Sequence, residues 1–156
     1  MHFQERAGTM RGSYVLLIEL PKAQMISVGR LKAIYFPRGY YAYVGSAMGG
    51  IKGRLGRHLG TNKKIHWHID YLLEKASING AIVCETEDRA ECAIVQALGA
   101  QFDAIPSFGS SDCRCHSHLF FASGEMKPKI MEILDSLRMR SRLLGVDTSR
   151  DVAGQG

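Results

Sequence analysis

The stretch YYAYVGSAMGG, residues 40–50, joins a strand-like pattern to a turn of small residues. Its first six residues are rich in aromatic and β-branched side chains, a composition that favours a strand. The glycines that follow permit tight turns and let the backbone approach a ligand closely. A basic segment, IKGRLGRHLG at residues 51–60, comes directly after them. The pattern therefore predicts a strand that carries tyrosine hydroxyls toward a glycine turn and a cationic helix.

Length and composition predict a single domain with its own core. The chain has 156 residues, of which 46% are hydrophobic, and a net charge of +5. A basic balance permits a nucleic-acid partner without requiring one. We expect a flexible N-terminus at residues 1–10, one domain over residues 11–145 and a disordered tail at residues 146–156.

No part of the sequence has the pattern of a membrane or export segment. The chain has no apolar run of about 18 residues, so we expect no membrane partner. Its first ten residues lack the apolar centre of a signal peptide. These two observations predict a cytoplasmic location, where the cysteines stay thiols or bind metal instead of forming disulfides.

The first 45 residues have the pattern of an antiparallel meander. Residues 13–20, SYVLLIEL, predict a buried strand. QMISVG at residues 24–29 is expected to pair back on it, with LKAIYF at residues 31–36 extending or following that second strand. A turn signal, PRG, then leads into the third strand at residues 40–45.

The rest of the chain predicts a mixture of helices and strands. Asp88 and Glu91 have the spacing of a capping box at the start of one helix. The expected elements are strands over residues 78–85 and 118–123, and helices over residues 51–59, from Ile65, over residues 88–100 and from about Pro128 to residue 145.

One interpretation of the glycine turn is a phosphate-binding loop of a nucleotide-binding enzyme. Gly45 and Gly50 have the spacing of such a loop. Ile51, however, comes before Lys52, and Gly53 stands where the loop needs a hydroxyl for magnesium. Nucleotide binding is therefore kept as the weaker alternative.

A second interpretation uses the tyrosines and the basic helix together. Tyr41 and Tyr43 share one face of their strand, and Tyr14 on the first strand is expected beside them. Arg54 and His58 are four residues apart, so a helix places them on one face. Arginine can bind a phosphate, and tyrosine or histidine can move a proton. These side chains together suit a phosphodiester, although any one of them taken alone is more often a packing or solvent-exposed residue.

Two short motifs carry a resemblance to a known family. GSY at residues 12–14 and YVG at residues 43–45 resemble the two half-motifs of the GIY-YIG nuclease superfamily, with Ser13 and Val44 in place of isoleucine. The longer strings GYYAYVGSA, RLGRHL, KIHWHIDYLL and FGSSDCRCHSHLF resemble one little-characterised branch. Members of that branch occur alone or fused to endonuclease III-type repair glycosylases. The resemblance spans about residues 11–122.

The resemblance implies both a fold and an activity. The implied fold is α+β, with a small mixed, mainly antiparallel three-stranded sheet flanked by helices and extended by additional strands. The implied activity is metal-dependent hydrolysis of DNA phosphodiester bonds by an endonuclease serving DNA repair, with DNA and a repair glycosylase as partners. The alternative is a nucleic-acid-binding module of the same fold that does not cleave.

The resemblance also implies a role for each residue of the site. Glu91 would hold a divalent ion, magnesium or alternatively manganese, and Arg54 would hold the phosphate. Tyr14 would act as general base or position the attacking water, and Tyr43 would bond a phosphate oxygen or share the proton transfer. His58 matches a histidine or tyrosine of some branches. Because tyrosine has an ordinary pKa near 10, nearby cations must lower the pKa of Tyr14 to make it a useful base.

Basic residues around these positions are candidates for contact with the nucleic acid. Trp67, which lies among them, is interpreted as a core residue or as a platform for an unpaired base. The candidate nucleic-acid-binding residues are Lys52, Arg57, Lys63, Lys64, His66 and His68.

A late cluster combines zinc-ligand residue types without a standard zinc spacing. Cys113, Cys115, His116 and His118 lie within six residues. The favoured interpretation is a hydrogen-bonded patch that lines the cleft, and a structural zinc is the less favoured alternative.

Overall fold

The computed structural model describes residues 2–3, 11–47, 50–60, 64–86, 90–109 and 115–147. Lys63, Asp88, Cys113 and residues 4–10 and 148–156 lie outside the described residues. None of the helices in the described ranges combines the length and apolarity needed to cross a membrane.

The strands are β1 (His2–Phe3), β2 (Gly12–Leu20), β3 (Gln24–Ser27), β4 (Ala33–Phe36), β5 (Gly39–Ala47), β6 (Ser77–Glu85), β7 (Asp103–Ala104), β8 (Leu119–Ala122) and β9 (Ser141–Asp147). The helices are α1 (Ile51–Leu59), α2 (His68–Leu73), α3 (Glu91–Gly99) and α4 (Lys127–Ser136).

Seven strands form the main sheet, in the order β1-β9-β6-β2-β5-β8-β7. Each neighbouring pair is antiparallel. The three nine-residue strands β6, β2 and β5 are consecutive in this order, and shorter strands extend both edges. The expected α+β class with a mainly antiparallel sheet is therefore confirmed. Tyr14 on β2 lies opposite Gly45 on β5.

The expected meander is wrong at its second strand. β3 does not pair with β2; it pairs with β4 in a separate two-stranded sheet. Both edges of β2 are already occupied, because β5 and β6 pair with it along nearly its whole length. The small sheet instead packs one face on the core, where Ile26 and Phe36 are buried.

The main sheet separates two apolar cores, because side chains alternate along each strand. Tyr14 and Leu16 of β2 lie in the first core, together with apolar residues of α1 and α2. Val15 lies in the second core, with apolar residues of α3 and α4. Tyr43 belongs to the first core and Tyr40 packs against the second, as the alternation predicts.

The second helix begins at His68, later than the expected start at Ile65. The cause is the carboxylate of Asp70, whose Oδ2 accepts hydrogen bonds from the backbone N–H groups of His66 and Trp67, each at 2.9 Å. An acidic residue in the first turn of a helix stabilises N–H groups that have no helical partner. The residues before α2 are therefore held in a non-helical conformation at its start.

The start of α3 differs from the expected capping box, of which Asp88 lies outside the described residues. α3 begins at Glu91 itself, and the residue before it, Ala90, makes no side-chain capping hydrogen bond. Glu91 therefore occupies the first helical position. Its carboxylate faces the site described below.

The last expected helix is half helix and half strand. α4 ends at Ser136, and a turn containing Arg138 at φ 59° follows. Residues 141–147 then form β9, which pairs with β6 and buries Leu144. Val146, expected in a disordered tail, thus belongs to a strand of the sheet.

Candidate functional site

A cavity of about 300 Å³ lies where the start of β2 meets the end of β5. Its wall joins residues from both sides of the sheet, so it brings together side chains that are far apart in the sequence. It is lined by Tyr14, Tyr43, Val44, Gly45, Ser46, Arg54, His58, His66, Trp67, His68, Glu91, Gly109 and His118.

Tyr14 and His58 form a buried hydrogen-bonded pair in this cavity. The hydroxyl of Tyr14 lies 2.7 Å from Nε2 of His58, and the two residues are 1% and 2% exposed. Gly45 makes the pair possible, because a Cβ at that position would collide with the Tyr14 ring. The pair therefore depends on the glycine of the second half-motif.

Burial keeps both half-motif tyrosines protonated. Desolvation raises the pKa of Tyr14 above its ordinary value of 10, and the charge of Arg54 lowers it only in part. Burial, followed by the neighbouring Tyr14, raises the pKa of Tyr43. Arg54 lowers the pKa of Tyr14, as expected of a nearby cation, but burial outweighs this effect and the net pKa lies above the ordinary value. Both phenols are available as hydrogen-bond donors at neutral pH.

Arg54 is held at the cavity wall by its neighbours. Its Nη1 donates a hydrogen bond to the carbonyl of Ser46 at 3.1 Å. Its guanidinium carbon lies 4.5 Å from the centroid of the Trp67 ring, within the range of a cation–π contact. Trp67 lines the cavity, so its position is compatible with both interpretations made from the sequence.

Arg57 lies on the same helix but is engaged by protein groups. It donates to both carboxylate oxygens of Asp70, at 3.0 and 2.9 Å, and to the carbonyl of Lys64 at 3.0 Å. Burial raises the pKa of Asp70, but the hydrogen bonds from Arg57 and from two backbone N–H groups together have the larger, opposite effect. The net pKa of Asp70 is therefore below its ordinary value. Arg57 does not line the cavity.

Asp70 was not among the predicted site residues. It positions the segment that carries His66 and Trp67, both of which line the cavity. Its spacing of three residues after Trp67, typical of an acidic residue in a first helical turn, was the available signal.

His68 is fixed in one neutral form. Its Nδ1 lies 2.8 Å from the backbone nitrogen of Gly109, which can only donate. The proton of the neutral ring is therefore on Nε2. Burial also lowers the pKa of His68, which favours this neutral form. The ring is a hydrogen-bond donor at the cavity wall.

Glu91 brings the carboxylate of the cavity, and His118 lies beside it. Nδ1 of His118 is 3.9 Å from Oε2 of Glu91 and 3.0 Å from the carbonyl of Val44. A carbonyl only accepts, so Nδ1 carries a proton. The side chain of Glu91 is 18% exposed and lies at a helix N-terminus, where the helix dipole favours negative charge.

The donor groups of the cavity fit a hydrated divalent ion. Among the described residues, no three His, Cys, Asp or Glu side chains are grouped as a metal-ligand set. Ser46 adds a buried hydroxyl oxygen that has no hydrogen-bond partner within the described part of the chain. A carboxylate that lines the same cavity as a hydroxyl suits magnesium, which keeps several of its waters.

The late cysteine and histidine cluster is divided between two places. His118 lines the first cavity, whereas Cys115 and His116 line a second cavity of about 500 Å³ together with Cys92. The sulfur atoms of Cys92 and Cys115 are 3.1 Å apart. Cys113 lies outside the described residues.

The remaining predicted cations lie outside the first cavity. Lys52 is exposed on α1, and Lys64 is exposed in the segment before α2. The structure thus brings together Tyr14, Tyr43, Arg54, His58, His66, His68, Glu91 and His118, and it does not bring Lys52, Arg57, Lys64, Cys115 or His116 into the same cavity.

Comparison with known proteins identified the family. No curated protein and no solved structure matched the chain. One family model, described as Domain of unknown function DUF123, matches residues 13–139. The matched residues span the whole candidate site, from Tyr14 to His118. Because this match covers well over half of the chain, the protein belongs to the family Domain of unknown function DUF123.

Proposed function

We propose that the protein is a metal-dependent endonuclease of the GIY-YIG type that hydrolyses DNA phosphodiester bonds. One observation carries the proposal: Tyr14, Tyr43, Arg54, His58 and Glu91 line a single cavity. These are the residues to which the half-motif resemblance assigns the reaction. Their chemistry covers the needs of hydrolysis, namely proton transfer, phosphate binding and a site for a hard cation.

The first step is activation of the attacking water by Tyr14 and His58. Because burial raises the pKa of Tyr14, its phenol acts without first ionising. The hydroxyl lies 2.7 Å from His58 Nε2, so it can donate its proton to the imidazole while it accepts a proton from water.

The second requirement is stabilisation of charge on the phosphate. The guanidinium of Arg54 is fixed by the Ser46 carbonyl and by Trp67, so little reorganisation is needed when charge develops. The protonated Tyr43 and the Nε2–H group of His68 add neutral donors to the same cavity.

The third requirement is a divalent ion, held by the Glu91 carboxylate and by water. Magnesium, or manganese in its place, would polarise the phosphate as a Lewis acid when bound. Glu91 and the Ser46 hydroxyl are the chain's own groups for this position.

A role in DNA repair, a cytoplasmic location and a repair glycosylase as partner belong to the same proposal. They rest on the resemblance of the sequence and on its composition. The direct test is incubation of the full chain with single-stranded, duplex, flap and branched DNAs, in magnesium or manganese and in chelator. We expect cleavage of at least one substrate in the metal-containing reactions, and cleavage of none across the panel contradicts the proposal.

A second candidate function is a nucleic-acid-binding module of the same fold that does not cleave. It is favoured by the burial of Tyr14 and Tyr43, since raised pKa values also suit residues that only pack. Binding to the same DNAs without cleavage would select this candidate.

A further inference from the structure

The net positive charge of the chain comes from one part of the sequence. Residues 20–69 contain nine lysines and arginines and no aspartate or glutamate. The rest of the chain has the opposite balance, with eleven lysines and arginines against fifteen aspartates and glutamates. The basic part includes the first-cavity helix α1 but begins well before it, in the two-stranded sheet.

This two-stranded sheet, β3 and β4 with the connecting turn Gly29–Leu31, is called the hairpin below. Its outer face exposes two large apolar side chains, Met25 at 60% and Tyr35 at 58%. These two residues are directly paired across the strands, so they form one patch. Most large apolar side chains of the described residues are buried, which makes this exposed pair unusual in the molecule.

Four exposed cations lie in the hairpin or directly beside it in the sequence. Arg30 and Lys32 lie in the turn of the hairpin, and Lys22 and Arg38 lie just before and just after its strands. Within the described ranges, no carboxylate forms an ion pair with any of the four. Their charge is therefore not neutralised locally.

The hairpin contacts the candidate site through one buried aromatic side chain, Phe108. Phe36 of its inner face contacts Phe108, with ring centroids 6.2 Å apart. Phe108 in turn contacts His68 at 5.5 Å and Tyr43 at 6.3 Å, and both of those residues line the first cavity. One aromatic side chain, Phe108, therefore separates the inner face of the hairpin from the cavity wall.

We propose that the hairpin is a second nucleic-acid contact, which stacks an unpaired base on Tyr35 and binds the adjoining phosphates with its cations. This inference rests on the proposed function, and it narrows the substrate to a nucleic acid that is unpaired beside the cleaved segment. Proteins that bind single-stranded nucleic acid combine an exposed aromatic ring with unpaired cations, since every base has a face that can stack on the ring. A lipid surface is less well matched, because the patch contains only two large apolar side chains.

The stacking part is tested by binding measurements in a Glu91→Gln background, which prevents cleavage during the assay. Tyr35→Phe keeps the ring and Tyr35→Leu removes it. With a duplex that carries a single-stranded extension, we expect Tyr35→Leu to weaken binding by roughly 5-fold to 100-fold and Tyr35→Phe to leave binding unchanged. With a blunt duplex of the same length, neither variant should change affinity. Because Tyr35 is largely exposed, both variants should keep the native fold, which circular dichroism checks.

The charge part is tested by the salt dependence of binding to the same extended duplex. Lys22→Gln with Lys32→Gln removes two hairpin charges. The slope of log K against log salt should become shallower by about 0.7 for each single-strand phosphate that the variant no longer neutralises. The matched control is Lys127→Gln with Lys129→Gln, since these α4 lysines lie beside Glu125 and Glu132, each at 3.8 Å. The control should leave the slope unchanged.

Several outcomes overturn the inference. One is an equal loss of DNA affinity in Tyr35→Leu and Tyr35→Phe, and another is an equal loss for Tyr35→Leu on blunt and extended duplexes. The third is the same slope of log K against log salt for the hairpin lysine variant and the control lysine variant. Binding to anionic vesicles that the hairpin variants remove, with DNA affinity intact, assigns the surface to a membrane instead. Failure of the proposed function is distinguishable, because it appears as absent cleavage by the wild type while the hairpin effects on binding persist.

Discussion

The first and second cavities described above differ more in chemistry than in size. The second cavity, at about 500 Å³, is the larger, but its lining includes no arginine, lysine, aspartate or glutamate. The first, at about 300 Å³, brings together two tyrosines, four histidines, an arginine and a glutamate. Bringing ionisable groups together in a cavity lowers the stability of a fold unless each buried polar group finds a hydrogen-bond partner. The comparison teaches that the smaller cavity is the better candidate for chemistry.

The sharpest way to break this comparison is to remove the carboxylate of the first cavity. We expect Glu91→Gln to lower metal-dependent cleavage about 1000-fold or more, because a neutral amide is a poor ligand for a hard cation. The free energy of unfolding should change by less than about 1 kcal/mol, since Glu91 is at the helix N-terminus and its only ion contact among the described residues is the long one to His118, at 3.9 Å.

The matched control for Glu91 is Glu85→Gln. Glu85 is an exposed carboxylate at the end of β6 and does not line the cavity. Cleavage assays and urea titrations of both variants measure the two effects. Cleavage by Glu91→Gln at the wild-type rate would remove the first cavity from consideration as the metal site.

A second prediction concerns the residue that shapes the first cavity without lining it. Asp70→Asn should lower the free energy of unfolding by about 3 kcal/mol at neutral pH, because it leaves Arg57 without its buried carboxylate partner. The pKa of Asp70 is lowered in the folded protein, so its stabilisation is present above the ordinary carboxyl pKa of 3.8. It is lost as the pH falls through the folded-state value.

The difference between wild type and Asp70→Asn should therefore narrow in acid. Urea denaturation at neutral pH and below pH 3.8 tests this. A difference that is constant across that range would show that the charge of Asp70 contributes nothing.

A third prediction sharpens the role of the buried tyrosine. Tyr14→Phe removes the hydroxyl that lies 2.7 Å from His58, and it should lower cleavage roughly 100-fold if that hydroxyl moves a proton. Tyr41→Phe is the control, since Tyr41 donates to the carbonyl of Pro37 and does not line the cavity. Equal activity in the two variants would assign Tyr14 to packing alone.

The smallest effect is expected in the second cavity. Cys92→Ala removes one sulfur from its wall and should change cleavage by less than about 2-fold and stability by about 1 kcal/mol or less. Cleavage rates of Cys92→Ala and Tyr14→Phe, measured in the same assay, test this difference between the two cavities. A loss of activity as large as that of Tyr14→Phe would erase the distinction between the cavities.

Local patterns predicted the elements that carry the site. β2, β5 and α1 were predicted within a few residues, because each has one clear period and a glycine or proline boundary. The half-motifs and the helix that follows them also predicted which elements carry Tyr14, Tyr43 and Arg54.

Long-range pairing decided what the sequence left open. RLLG at residues 142–145 fits a helix as well as a strand, and pairing with β6 selects the strand. The contact between Tyr14 and His58 joins residues 44 positions apart, and that between Arg57 and Asp70 joins residues 13 apart. Neither contact has a local signal, since each depends on how α1 packs across the sheet.

The single tryptophan gives the first cavity its own optical reporter. Trp67 is the chain's one indole, and it lies 4.5 and 4.1 Å from the guanidinium carbons of Arg54 and Arg57. Its fluorescence therefore comes from a single position at the cavity wall. A phosphate that draws Arg54 away from the ring should change the emission, so ligand binding can be followed in the unlabelled protein.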